Sequence, residues 1–185
     1  MITEIMSVAP VHGKQANILN AAWLDTPLGP MLAVADDAAL HLLEFAERKN
    51  LEQEIKRLRY TTKAGIIPGK NTPITMIENE LKDYFDGKIT VFETPLFLLG
   101  SDFQKLVWEE LQKIPMGQTR SYAQLATAIG RSSAYRAVAR ANSTNHLAII
   151  IPCHRIINSN NELGGYASGV ARKEWLINHE KRVTS

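Results

Sequence analysis

Near residue 100 the hydrophobic period of the chain changes, and that change limits the folds open to it. Before it, short apolar stretches at Ala21 to Thr26, Met31 to Ala35 and Ala39 to Phe45 read as strands. Thr26-Pro27-Leu28-Gly29-Pro30 forms a turn between the first two, and Asp36-Asp37 a hairpin before the third. Asn50 to Leu58 is a polar helix, Gly65 to Thr72 a loop, Pro73 to Phe85 a helix with Ile77, Leu81 and Phe85 on one face, and Val91 to Leu98 an extended segment. After residue 100 the pattern is helical. Ser101-Asp102 caps a helix whose Phe103, Leu106, Val107, Leu111 and Ile114 share a face. Ser121 caps a second, with Tyr122, Leu125, Ala126 and Ile129 inward, closed by Gly130. A third starts at Ser132 or Ser133, with Ala134, Ala137, Val138 and Ala141 inward. Two short amphipathic helices about a turn holding glycine make a helix-turn-helix.

Charge follows the same division. Residues 1–100 hold ten Lys and Arg against thirteen Asp and Glu, whereas residues 101–185 hold eleven against six. A basic second half points to a polyanion as its partner. On the third helix, Arg136 and Arg140 lie four apart among Tyr135, Ala137, Ala139 and Ser143, a face small enough to approach a DNA groove. Three segments follow: residues 1–19 as a leader or loosely packed extension, 20–98 as a small α+β unit, and 99–185 as the helical unit. Met1 to Leu19 lacks an apolar core of secretory type, and no apolar run approaches the ~20 residues of a membrane span. A cytoplasmic protein without membrane association is expected.

The chain has one cysteine, Cys153, so an internal disulfide is excluded, and its few scattered histidines give no metal-ligand spacing. No metal or cofactor is expected. Cys153 stands in Pro152-Cys153-His154-Arg155, between the apolar runs Leu147 to Ile151 and Ile156-Ile157. Burying such a triplet is costly unless its members are paired, which argues for a built site. A thiol beside an imidazole and cationic charge can act as a thiolate nucleophile. Glu180 follows Leu176 and Ile177 by four and three residues, which puts it on the inward face of the last helix as a partner for His154. The glycine-rich stretch Glu162 to Gly169 suits a loop whose backbone passes close to a flat ligand.

From Thr26-Pro27-Leu28-Gly29 to Glu180 the chain resembles the O6-alkylguanine-DNA alkyltransferases, the methylated-DNA–protein-cysteine methyltransferases of bacterial type. The resemblance is carried by Val107-Trp108, Ile114-Pro115-x-Gly117-x-Thr119, Ser121-Tyr122-x-x-Leu125-Ala126, Arg136-Ala137-Val138, Asn145, Ile151-Pro152-Cys153-His154-Arg155, Gly165-Tyr166 and Lys173-Glu174-Trp175-Leu176. It implies a ribonuclease-H-like α+β domain followed by a helical, winged-helix-like domain that binds DNA and accepts the alkyl group. The implied reaction is a single irreversible transfer from O6-alkylguanine, and from O4-alkylthymine, to Cys153. His154, held by Glu180, takes the thiol proton through a water. Tyr122 contacts the extruded base and donates a proton, and Asn145 ties the third helix to the active-site turn. The carbonyls of Cys153 and Ile156 accept from the exocyclic amine, the N–H of Ala167 reaches O6, and Tyr166 and Ser168 complete the pocket. Arg136 fills the gap left by the nucleotide, with Tyr135, Ala137, Arg140, Ser121 and Arg155 along the DNA. The implied partner is double-stranded DNA carrying alkylated guanine, met by a monomer with no obligate protein partner.

Two other readings use the same helix-turn-helix: a non-catalytic sensor of alkylated DNA, and a transcription factor. Related sensors lack the cysteine, and a transcription factor would leave the Gly-rich loop unexplained. Where many family members have Gly and a smaller residue, this chain has Ala139 and Tyr135, which bears on DNA affinity. Small residues at Ala167 and Ser168 leave a roomy pocket, so DNA carrying O6-benzylguanine is expected to react. Absence of a benzyl adduct by mass spectrometry would refute this.

Overall fold

The structure, a computed structural model, describes residues 17–185. The architecture is mixed α+β, and the chain divides into two compact units. One reaches Asp86 and includes Phe92–Phe97; the other comprises Gly87–Val91 and Leu98–Ser185. The extension expected over residues 1–19 falls outside the described residues up to residue 16, while Ile18 and Leu19 already belong to a strand.

The first unit is built on a four-stranded sheet of β1 (Ile18–Leu24), β2 (Met31–Ala35), β3 (Leu40–Phe45) and β4 (Gly65–Pro68), in the order β3-β2-β1-β4. Neighbours pair antiparallel except β4, which runs parallel to β1. Every position of β2 and β3 is buried, β2 as an unbroken apolar run and β3 with His41 and Glu44 among its apolar residues. Thr26 closes the first turn, its hydroxyl donating to the Gly29 carbonyl at 2.6 Å. Asp36 closes the second by accepting from the N–H groups of Ala38 and Ala39, both at 2.8 Å. Helix α1 (Leu51–Thr62) leads to β4, and α2 (Thr72–Phe85) packs on β1 and β2.

Several expectations are corrected here. The strand expected over Ala21 to Thr26 is shifted to Ile18–Leu24, because Thr26 is consumed by the turn. The loop expected over Gly65 to Thr72 begins with the edge strand β4, where Ile66 is buried and Ile67 exposed; its partner β1 is too distant in sequence for a local pattern to reveal it. Tyr84 rather than Phe85 closes the buried stripe of α2, since a 3.6-residue period drifts from strict fours. Val91 to Leu98 makes only an isolated bridge, Leu96 to Leu40.

The second unit holds α3 (Asp102–Gln112), α4 (Tyr122–Ala128), α5 (Tyr135–Ser143) and α6 (Val170–Val183). Ser101 and Ser121 each form a capping box, with Gln104 and Gln124, which fixes the first residues of α3 and α4. Gly130, at φ 70°, ends α4 and turns the chain. A 3-10 turn over Ser132–Ala134 then precedes α5. The third helix therefore starts at Tyr135 rather than at Ser132 or Ser133, neither of which caps it. Trp108 donates its indole N–H to the Ala141 carbonyl at 2.9 Å, and Gln104 reaches the Thr144 hydroxyl at 2.8 Å, so α3 pins the end of α5. Among the described residues, the paired strands of this unit are β5 (Arg120–Ser121) and β6 (Ile156–Ile157), two residues each and parallel. This short pair brings Tyr122 alongside the turn that carries Cys153. Among the described residues, no helix is long and apolar enough to cross a membrane.

Candidate active site

Cys153 opens a 3-10 turn, Cys153–Arg155, and is 6% exposed. The apolar run before it is a compact turn, with Ile150 N–H bonded to Ala148 O and Ile151 N–H to Leu147 O. Ile149 sits there at φ 71°, a strained conformation for a β-branched residue. Asn145 holds the turn together. Its Oδ1 accepts from Leu147 N–H at 3.0 Å, while its Nδ2 reaches Ile151 O at 3.0 Å and Cys153 Sγ at 3.1 Å. An N–H aimed at sulfur stabilises negative charge there.

Glu180, 1% exposed on α6, is the hub behind the thiol. Oε1 accepts from His154 Nε2 at 2.8 Å and from Arg155 Nη2 at 2.9 Å. Oε2 accepts from Arg155 Nε at 2.9 Å and from Gly117 N–H at 3.2 Å. Arg155 spends its remaining terminal nitrogen on the Ile114 carbonyl at 2.5 Å. Its placement on DNA is therefore corrected: it is 6% exposed, and its guanidinium is committed to an internal fork with Glu180.

Burial opposes charge on Glu180, but hydrogen bonds from His154 and Arg155, with the charge of Arg155, outweigh it and hold the carboxyl well below its usual range. Burial likewise pushes the His154 imidazole below its ordinary value, against the pull of Glu180. Arg155 settles the pair by keeping Glu180 ionised, so His154 is neutral and carries its proton on Nε2. Its lone pair then lies on Nδ1, which has no hydrogen-bond partner among the described residues. Both groups bind protons less readily folded than unfolded, so stability is lost as pH is lowered. The loss begins as pH drops through the ordinary histidine value of 6.5 and deepens below the carboxylate value of 4.5. Thermal melts between pH 8 and 4 are expected to show a melting temperature that decreases throughout; a rise between pH 7 and 5 would contradict this assignment.

Tyr122 is the first residue of α4, half-buried, and burial together with the charge of Cys153 raises its pKa, so the phenol keeps its proton. Ser121, expected along the DNA, uses its hydroxyl to cap α4, accepting from Gln124 N–H at 3.1 Å. Along the Gly-rich loop, Tyr166 is half-buried, Ala167 exposed and Ser168 buried. Tyr135, Arg136, Ala137 and Arg140 are exposed on α5, with the Arg136 guanidinium over the Tyr135 ring at 5.7 Å.

Three residues escaped the sequence reading. Asn142 is buried on α5 and donates to the Cys153 carbonyl at 3.4 Å. Lys173 is buried on α6 and donates to the Ile156 carbonyl at 2.5 Å and to Gly165 O at 3.3 Å. Gly117, at φ 79°, turns its N–H onto Glu180. The first two left a signal. Lys173 precedes Leu176, Ile177 and Glu180 by three, four and seven residues, and Asn142 follows Val138 and Ala141 by four and one, the spacing of an inward face. Gly117 and Lys173 also stand in the motifs that carry the family resemblance, but no local pattern gives the glycine N–H its partner.

The model of the family described as 6-O-methylguanine DNA methyltransferase, DNA binding domain, matches residues 102–182. A methylated-DNA–protein-cysteine methyltransferase of Methanosarcina barkeri is 40% identical over 158 residues, covering 85% of this chain and 94% of its own. Another, of Shigella flexneri, is 38% identical over 162 residues, covering 84% and 91%. Among solved structures, the O6-methylguanine methyltransferase of Mycobacterium tuberculosis superposes with a TM-score of 0.76 at 36% identity, covering 89% of this chain and 93% of that one. The Mycobacterium tuberculosis protein solved in complex with DNA gives 0.76 at 34% identity, covering 90% and 94%. With its single cysteine set in the turn that the family motif marks, the chain belongs to the methylated-DNA–protein-cysteine methyltransferases.

Proposed function

We propose that this protein binds DNA and repairs O6-alkylguanine, and O4-alkylthymine, by moving the alkyl group irreversibly onto Cys153. The observation that carries this is the grouping of Cys153 Sγ, the Asn145 amide on it, and the His154–Glu180–Arg155 cluster behind it in the unit with the helix-turn-helix. The alkylated oxygen lies inside the stacked duplex, so the nucleotide is extruded to reach a buried sulfur. Arg136, exposed at the start of α5, fills the space it leaves, and Tyr135, Ala137 and Arg140 lie along the groove and phosphates.

Chemically, the thiol proton passes through a water to His154 Nδ1, with Glu180 balancing the imidazolium. The thiolate attacks the alkyl carbon; a C–S bond forms and the C–O bond breaks. The departing base takes a proton from Tyr122, whose raised pKa keeps it available, and leaves as guanine. The carbonyls of Cys153 and Ile156 accept from its exocyclic amine, Ala167 N–H serves O6, and Tyr166 and Ser168 wall the pocket. A thioether has no leaving group that water can displace here, so each molecule reacts once. All these groups come from one chain, which supports a monomer needing no protein partner; action on DNA fits a cytoplasmic site.

Intact-mass spectrometry after mixing with duplex DNA containing O6-methylguanine tests the reading. One methyl is gained by the native protein and none by Cys153→Ala. A methyl gained by the Ala variant, or by neither protein, overturns it.

A further inference from the structure

Lys173 is a buried charge that the reaction above leaves unused. It is 0% exposed, in the first turn of α6. Removing an ammonium from water is costly even after relaxation. Burial accordingly pushes its pKa down to about 8, against the pull of charge on Cys153. An apolar side chain would fill the same space without that cost, so the lysine is explained by what its N–H groups hold.

They bridge the Cys153 turn and the Gly-rich loop, a second tie beside the bond from Asn158 N–H to the Glu162 carbonyl at 2.9 Å. Ile156 ends the turn that begins at Cys153, and its carbonyl accepts from Nζ at 2.5 Å. Gly165 lies in the Gly-rich loop, and its carbonyl accepts from the same nitrogen at 3.3 Å. A tetrahedral ammonium has three donors and can serve two carbonyls from different directions. The other carbonyl of the turn, that of Cys153, is held from α5 by Asn142 at 3.4 Å. A carbonyl oxygen has two lone pairs. The Cys153 carbonyl accepts from Ile156 N–H as well as from Asn142, while Nζ fixes the peptide plane of the Ile156 carbonyl.

We propose that Lys173 is a positioning residue for base recognition: it ties the Cys153 turn to the Gly-rich loop and fixes the Ile156 carbonyl so that the site selects a purine bearing an exocyclic amine. The inference rests on the alkylguanine reading above. Lys173 does not touch the reacting atoms; it acts through Ile156 and Gly165.

The test compares two duplexes that differ by that amine alone, one containing O6-methylguanine and one O6-methylhypoxanthine. Second-order rates of methyl transfer to the full-length protein are measured for wild type, Lys173→Met and Lys173→Arg. Wild type is expected to prefer the guanine lesion by about tenfold, the worth of a hydrogen bond to a positioned acceptor. Lys173→Met should lose about that factor on the guanine lesion and far less on hypoxanthine, bringing the ratio near one. Lys173→Arg should retain part of the preference. Because the ratio is taken within one protein, a reduced folded fraction cancels, and the Arg variant carries the comparison if the Met variant does not fold. Equal losses on both duplexes, or a wild type with no preference, overturn the proposal. A wild type that takes methyl from neither duplex overturns the alkylguanine reading itself.

Discussion

In Glu180→Gln, methyl transfer is expected to fall by about a hundredfold or more, and the melting temperature by about 10 °C. The substitution keeps the shape of the side chain, yet it is not conservative here. Both carboxylate oxygens accept two N–H bonds: Oε1 from His154 and Arg155, Oε2 from Arg155 and Gly117. Whichever way the amide is turned, its NH2 faces two donors. One face of the Arg155 fork is then lost, and a buried guanidinium is left short of its counter-charge, a situation that costs about 3–5 kcal/mol. His154 loses the acceptor that fixes its proton on Nε2, so Nδ1 is no longer held as the base. Calorimetry and the rate of methyl transfer check the two effects together. A Gln variant that melts with wild type would show that the four contacts do not act as a unit.

Asn145→Ala is expected to lower stability by about 1–3 kcal/mol, since it strands the buried Leu147 N–H, whereas the Ile151 carbonyl keeps its bond from Cys153 N–H at 2.8 Å. The positive φ of Ile149 is imposed by the turn that Asn145 closes, so the turn also loses its means of holding that strain. Reactivity is expected to fall at least tenfold, because Cys153 Sγ loses the N–H at 3.1 Å that favours its anion. Asn145→Asp separates the two effects. Its carboxylate still accepts from Leu147 N–H but repels a thiolate and cannot donate to Ile151, so the Asp variant should react more slowly than the Ala variant. If Asp reacts faster than Ala, the amide does not stabilise the sulfur.

The two variants act from opposite sides of one short turn, and the sequence displayed them unequally. Glu180 was legible because Leu176 and Ile177 share its helical face. Asn145 was legible only through family likeness, since nothing local tells a turn-closing amide from a surface one. Arg155 was misread. A basic residue beside the nucleophile of a DNA-binding unit suggests a phosphate contact, but helix α6 supplies Glu180 from 25 residues downstream and internalises it.

Sequence alone determined what depends on local spacing. The strand-to-helix change near residue 100, the serine caps of α3 and α4, the exposed arginines of α5 and the isolation of Cys153 between apolar runs all follow from period and residue type within a few turns. Tertiary structure decided what depends on distant partners: β4 as an edge strand on β1, the fork of Arg155 on Glu180, the reach of Asn142 to the Cys153 carbonyl, and the span of Lys173 between two loops. The physical reason is that a buried polar group is defined by the acceptor it meets, and here those acceptors are mostly backbone carbonyls. Every residue carries one, so the sequence does not say which of them will be turned inward.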